Sequence, residues 1–159
     1  MAYALGRKSL DELRGVHPRL VQVVKRAILI TPVDFGVHDG LRTREEQVEY
    51  VKSGVSKTMN SKHLPQADGW GHAVDLVPYI NGRLRWEWPP IYAIAASMAI
   101  AARELQVPLR WGGVWDRRFP VDFPTYTPGG MERAVSAYTA RQRARGRRAF
   151  LDGPHFELA

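Results

Sequence analysis

The sequence predicts a single domain of the α+β class, with a small antiparallel sheet packed against helices. Two observations lead to this prediction. Segments with a helical apolar stripe come early in the chain, and short strand-like runs follow, separated by one long apolar helix. The chain has 159 residues, of which 45% are hydrophobic, which is enough for a core without disulfides. No repeat or low-complexity linker divides it, so one domain is expected over residues 1–159.

The first part of the chain contains helical segments around a short strand. A broken apolar stripe runs through residues 9–30, with Ser9 as the predicted N-cap, and His17-Pro18 either interrupts this stripe or divides two helices. The run DFGVHDGLRT predicts a short strand and a turn, because glycines punctuate its few apolar residues. A further helix follows, with Thr43 as its N-cap.

The rest of the chain alternates predicted strands with two helices. HAVDLVPYI is typical of a buried strand, and the Asn81-Gly82 pair after it predicts a hairpin turn. The most apolar helix is expected over residues 89–106, with two prolines in its first turn. PLRWGGVW predicts a strand, an arginine-rich helix is expected near residues 131–148, and HFELA predicts a short final strand.

Composition limits the chemistry and the partners. The net charge of +7 and the pI near 10.0 favour an anionic partner, which could be nucleic acid, anionic lipid or an acidic wall polymer. The absence of cysteine excludes thiol catalysis, so a zinc site would need histidine and carboxylate ligands. No signal-peptide pattern and no membrane-spanning apolar run is present, so we expect synthesis as a soluble cytoplasmic chain.

Four residues have the chemistry of a metal-assisted hydrolase. His63, Asp75 and His155 could supply the two imidazoles and one carboxylate that a catalytic zinc needs, leaving a coordination position for water. Spacing alone leaves this open, because scattered histidines are more often surface or packing residues. Asp152 lies three residues before His155, and the Gly-Pro bend between them can turn both side chains toward one cavity. Asp152 is then either the general base or a turn cap.

Four segments of the chain together resemble a known family. GLRTREEQVEYVKSGVSKTMNSKH, GHAVDLVPY, RWGGVW and DGPHFEL are similar to zinc peptidases of the D-Ala-D-Ala carboxypeptidase (VanY/VanX-like) type. They are most similar to the phage L-alanyl-D-glutamate endopeptidases that act as endolysins. The resemblance runs from about Asp39 to Leu158, and it implies the hedgehog/D-Ala-D-Ala peptidase-like fold.

The resemblance implies roles for individual residues. His63, Asp75 and His155 correspond to the zinc ligands of the family, and Asp152 corresponds to the catalytic base. Arg42, in GLRT, matches an arginine that stabilises the substrate or the developing oxyanion, and its alternative is a surface arginine at a helix end. Two further substrate-binding candidates are Ser61 and Trp115.

One departure from the family pattern concerns the first ligand. The family has two residues between this histidine and the following glycine, whereas here Leu64–Trp70 makes the segment five residues longer. Its Pro, Asp and Gly residues predict an inserted loop. His72 is therefore a rival ligand. His63 is favoured because His72 and Asp75, three positions apart on a strand, would point to opposite faces.

A run of five arginines lies in residues 140–148. The segment Arg141–Arg148 is either a solvated helix face or a surface that binds an anionic part of the cell envelope. Nucleic acid is not expected as a partner, because aromatic residues do not alternate with these arginines.

The sequence therefore predicts a monomeric, zinc-dependent endopeptidase that hydrolyses the L-Ala–D-Glu bond of peptidoglycan and lyses the host cell. A D-Ala-D-Ala carboxypeptidase and a non-catalytic basic domain that binds wall or nucleic acid are the alternatives. The protein is expected to reach the wall from the host cytoplasm after a separate protein has permeabilised the membrane.

Overall fold

The computed structural model describes residues 2–56 and 58–159. Its helices are α1 (Arg7–Glu12), α2 (Pro18–Ile30), α3 (Arg44–Lys52), α4 (Trp88–Leu105) and α5 (Pro128–Ala144). Its strands are β1 (Phe35–Asp39), β2 (Ala73–Ile80), β3 (Arg83–Leu84), β4 (Leu109–Trp111), β5 (Val114–Phe119) and β6 (His155–Leu158). Among the described residues, no helix has the length and apolar character needed to cross a membrane.

The strands form one sheet in the order β1-β2-β6-β4-β5, with β3 paired to β2 beside this path, and every strand pair is antiparallel. The predicted α+β class with an antiparallel sheet is confirmed. The C-terminal strand β6 lies in the middle of the sheet, between β2 and β4. Because of this insertion, Asp75 on β2 faces His155 on β6 as its register partner, although 80 residues separate them.

The central helix α4 fills the core on one side of the sheet. Ten of its residues are buried, most of them alanine, isoleucine or methionine, and it packs between α2 and α5. The predicted buried helix is therefore confirmed. Pro89 and Pro90 occupy its first turn, where their missing N–H groups have no intrahelical partner to lose. Gln106 ends the helix in the left-handed conformation, with φ of 56°.

The N-terminal segment differs from its prediction at the first cap. Ser9 lies inside α1, and Gly6 is the N-cap residue. The buried Ser9 hydroxyl instead accepts a hydrogen bond of 2.9 Å from the amide of Val37, which joins α1 to β1. His17-Pro18 divides two helices, and Nδ1 of His17 accepts a hydrogen bond from the Arg19 amide at the start of α2.

Three other local features can be compared with the sequence. Thr43 and Glu46 form a capping box on α3. Asn81 and Gly82 make the β2–β3 turn, both with positive φ, as a two-residue hairpin requires. The arginine-rich helix is shorter than expected, because Gly146 adopts φ of 70° and the amides of residues 146 and 147 bond back to α5. Arg145, Arg147 and Arg148 thus lie beyond the last residue of the helix.

Candidate active site

A cleft of about 770 Å³ has the three predicted ligands on its wall: His63, Asp75 and His155. Both histidines are buried and Asp75 is partly buried. Oδ1 of Asp75 lies 3.3 Å from Nε2 of His63 and 3.2 Å from Nδ1 of His155. One candidate ligand atom from each residue can be chosen so that all lie within 4.8 Å of one another. This spacing allows the three side chains to share one ion.

Backbone pairing brings these side chains together. Asp75 and His155 face each other across β2 and β6. The loop before β2 is attached to the end of β1, because the amide of Arg42 donates to the carbonyl of His63 over 2.9 Å. The hydroxyl of Ser61 accepts a hydrogen bond from the His63 amide, which fixes the turn that presents this imidazole.

Both imidazoles are oriented by acceptors on their far sides. Nδ1 of His63 donates to the carbonyl oxygen of Gly40 over 2.8 Å, and Nε2 of His155 donates to Glu157 over 2.8 Å. Each ring therefore turns its other nitrogen toward Asp75. Metal-binding histidines usually have this arrangement, in which the second ring nitrogen bonds a carbonyl or carboxylate. The donor set of two imidazoles and one carboxylate fits a catalytic zinc ion.

Neither orienting group was predicted from the sequence. Gly40 contributes only its backbone carbonyl, which leaves no side-chain signal. Glu157 had a signal, since it lies two residues after His155 on a strand and such residues share a face.

The electrostatics of these three side chains follow from this geometry. Burial disfavours ionisation of Asp75, yet hydrogen bonds from His155 and His63 hold the pKa of its carboxyl well below the usual range. Burial also disfavours protonation of His155, but its hydrogen bonds with Asp75 and Glu157 raise the pKa of this imidazole to about 10. A metal ion bound here would therefore replace the proton on Nδ1 of His155.

Asp152 lies on the same cleft, in the loop that leads into β6. Burial, followed by the negative charge of Asp75, raises the pKa of Asp152. The loop is attached to the β4–β5 turn, where Gly112 exchanges backbone hydrogen bonds with Asp152 and His155. A Cβ at position 112 would collide with the carbonyl oxygen of Asp152, so this close approach requires glycine.

Comparisons with known proteins identify the family of this chain. The phage L-alanyl-D-glutamate peptidase family matches residues 1–123. The L-alanyl-D-glutamate peptidase of Escherichia phage T5 is 32% identical over 140 residues, which cover 83% of this chain and 98% of that relative. The chain belongs to this family of peptidases. The family match ends before Asp152 and His155, although the T5 relative is aligned over a larger share of the chain.

A solved structure extends the similarity of this peptidase to nearly its whole length. The L-Ala D-Glu endopeptidase ChiX of Serratia marcescens superposes with a TM-score of 0.69 and is 32% identical. The superposition covers 98% of this chain and 90% of ChiX. The fold that the resemblance implied is therefore confirmed over the described elements.

Arg42 is buried beside the cluster, and its guanidinium group is held from several directions. It pairs with Asp39, donates to Gln47 over 2.7 Å, and lies 4.3 Å from the ring centre of Tyr50. Its Nη2 is 3.9 Å from Oδ2 of Asp75. The guanidinium therefore places a fixed positive charge on the cleft wall.

Trp115 forms another part of the cleft wall. Its ring centre lies 5.4 Å from that of His155, and Phe150 stacks on it at 5.9 Å. Nε1 of Trp115 is buried and has no hydrogen-bond partner within the described part of the chain. A buried donor without a partner is costly, so this N–H is available to an acceptor that enters the cleft.

The rival ligand His72 lies elsewhere. Its Nε2 is 2.8 Å from Asp68 in the inserted loop, and its ring packs against His17. The structure thus brings His63, and not His72, to Asp75.

Proposed function

We propose that this peptidase hydrolyses the L-Ala–D-Glu bond of the peptidoglycan stem peptide, using a zinc ion held by His63, Asp75 and His155. The observation that carries the proposal is the meeting of three buried or partly buried donors in one cleft, with both imidazoles oriented from behind. A zinc ion held by these donors would polarise the peptide carbonyl and acidify a water molecule. Zinc is preferred because two imidazoles and one carboxylate are its usual catalytic ligands.

Asp152 is the proposed general base. Its carboxylate accepts a proton from the attacking water and then gives that proton to the leaving amine of the D-Glu residue. The position of Asp152 on the same cleft as His63, Asp75 and His155 supports this role, because a general base must lie close to the water that it deprotonates.

Arg42, Ser61 and Trp115 are the proposed substrate-binding groups. The fixed charge of Arg42 supports stabilisation of the negative charge that develops on the carbonyl oxygen. The Ser61 hydroxyl accepts from His63 and can still donate its own hydrogen to the substrate. The unpartnered N–H of Trp115 can donate to a peptide carbonyl.

We further propose that the chain acts as a monomer and reaches the wall from the host cytoplasm once another protein has permeabilised the membrane. The cleft is complete within one chain, which supports the monomer. Light scattering at the concentrations used for assay tests this point, and a dimer that dissociates with loss of activity would contradict it.

Digestion of purified murein tests the proposed reaction. Mass spectrometry of the products should find new free amines on D-Glu, and Asp152→Asn should produce almost none. Chelation should stop the reaction and added zinc should restore it. Release of D-Ala without new D-Glu amines would instead identify a carboxypeptidase, and unchanged cleavage after prolonged chelation would contradict the metal.

A further inference from the structure

The positive charge of the protein is concentrated in one part of the chain. Residues 110–150 contain nine arginines, no lysine and three acidic residues, so they contribute a net charge of +6 out of the total of +7. The catalytic donors His63, Asp75, Asp152 and His155 all lie outside this range. The basic charge therefore needs an explanation other than catalysis.

Within this range, α5 and β5 border a second cleft, of about 350 Å³. Arg133 and Arg141 of α5 and Arg117 of β5 line it. Arg145, the C-cap residue of α5, comes four residues after Arg141 and so continues the same row. We call Arg117, Arg133, Arg141 and Arg145 the arginine face.

Acidic neighbours neutralise only part of the arginine face. Asp116 receives two hydrogen bonds from Arg141, of 2.8 and 2.7 Å, and has a longer ion pair of 3.7 Å with Arg117. Neither Arg133 nor Arg145 pairs with a carboxylate anywhere in residues 2–56 and 58–159. Asp122 also lines the cleft, but its carboxylate pairs with Arg118 over 2.9 Å, so Arg133 and Arg145 remain without a carboxylate partner among the described residues.

The cleft between these arginines also has apolar walls. Val114, Phe123 and Ala134 line it, and Val121, which is 65% exposed, lies in the loop that follows β5. Arginine binds phosphate through two parallel N–H groups, while exposed apolar side chains enter the boundary between head groups and acyl chains. A cationic rim around an apolar cleft therefore complements a phosphate-bearing lipid better than a purely polar polyanion.

We propose that the arginine face docks this peptidase on the surface of an anionic phospholipid bilayer. The phosphate groups of the lipids pair with Arg117, Arg133 and Arg145, and the cleft accepts an apolar part of the lipid. Arg141 stays bonded to Asp116 and holds α5 against β5. This surface is separate from the catalytic cleft, so it keeps the enzyme at the envelope without taking part in hydrolysis.

Vesicle sedimentation tests the proposal. The wild-type protein should sediment with vesicles of phosphatidylcholine and phosphatidylglycerol, but not with phosphatidylcholine alone. Changing Arg117, Arg133 and Arg145 to Gln should weaken this binding about 100-fold, since each arginine near an anionic surface contributes about 1 kcal/mol. Cleavage of a soluble muropeptide should stay unchanged, which also shows that the variant is folded.

A matched control separates the arginine face from net charge. The variant Arg7→Gln, Lys25→Gln, Arg83→Gln removes three exposed charges elsewhere and should keep most of the vesicle binding. Equal loss in both variants would show that only net charge matters and would overturn the proposal. So would absence of binding to anionic vesicles by the wild type. Binding of short single-stranded DNA through the same arginines, without vesicle binding, would assign the surface to nucleic acid instead.

Discussion

The catalytic cleft and the arginine face hold their charges in opposite ways. In the cleft, Asp75 lies between two imidazoles and each imidazole has a second acceptor behind it. On the arginine face, Arg133 and Arg145 have no carboxylate partner in the described chain. A site that positions a metal must satisfy its ligands internally, whereas a surface that recruits an anion keeps its charge available.

The difference predicts how each region responds to mutation. Removing one side chain from the cleft leaves a buried partner without its hydrogen bond, so the loss of metal binding or turnover should be large. Replacing a residue of the same type outside the cleft should have little effect on either. Removing Arg133 or Arg145 from the arginine face should change binding to anions and have little effect on stability or hydrolysis, because exposed charges contribute little to folding.

The largest effect is expected at the first ligand. His63→Ala should lose the bound metal and reduce cleavage to background, because Asp75 and His155 alone cannot hold the ion. His72→Ala is the matched control, since this histidine contacts Asp68 instead. Metal content and murein digestion measure both outcomes. Retained metal in His63→Ala together with its loss in His72→Ala would reverse the assignment.

The next effect concerns the proposed base. Asp152→Asn should keep the metal and the fold but reduce turnover by about 100- to 10,000-fold, since an amide cannot accept the proton of water. Steady-state kinetics and metal analysis of the same sample check this. Near-normal turnover would leave Asp152 with only its structural role in the loop before β6.

A smaller effect is expected at Glu157, which orients the ligand His155. Glu157→Gln should weaken metal affinity by about 10- to 100-fold, because the amide orients His155 less firmly than the carboxylate. Competition with a chelator measures this affinity. Glu132→Gln, on the exposed part of α5, is the control and should have no effect. Equal affinities in the two variants would show that Glu157 does not support the metal site.

The smallest effect distinguishes two arginines on one helix. The hydrogen bond with Arg141 lowers the pKa of Asp116, so the pair stabilises the fold above the unfolded pKa of aspartate. That contribution is lost as pH falls through the folded pKa. Arg141→Gln should therefore cost about 1 kcal/mol at neutral pH, and this cost should disappear once the pH has fallen below the lowered folded pKa of Asp116. Arg133→Gln should cost nothing at either pH, and equal costs in denaturant melts would contradict this difference.

Helix caps and turns that depend on neighbouring residues were mostly predicted correctly from the sequence. The capping residue Thr43 and the Asn81-Gly82 turn form as expected, because short-range hydrogen bonds and backbone angles decide them. The prediction of Ser9 as the N-cap was wrong. The same pattern of residues also fits a serine inside the helix, and here the Ser9 hydroxyl bonds to a strand that is distant in sequence. The early end of α5 depends on the positive φ of Gly146.

The sequence predicted only part of the site. Resemblance to a family supplied His63, Asp75 and His155, and spacing alone had left them open. The orienting groups were missed, because the role of Glu157 follows from the orientation of the His155 ring, and Gly40 acts only through its carbonyl. The contact between His63 and Gly40 joins residues that are 23 positions apart in sequence, so no local pattern encodes it.

Anomalous diffraction at the zinc absorption edge, from crystals grown with zinc, locates the ion. We expect one strong peak bounded by Nε2 of His63, the carboxylate of Asp75 and Nδ1 of His155. A peak between His17, Asp68 and His72, or no peak beside Asp75, would contradict it.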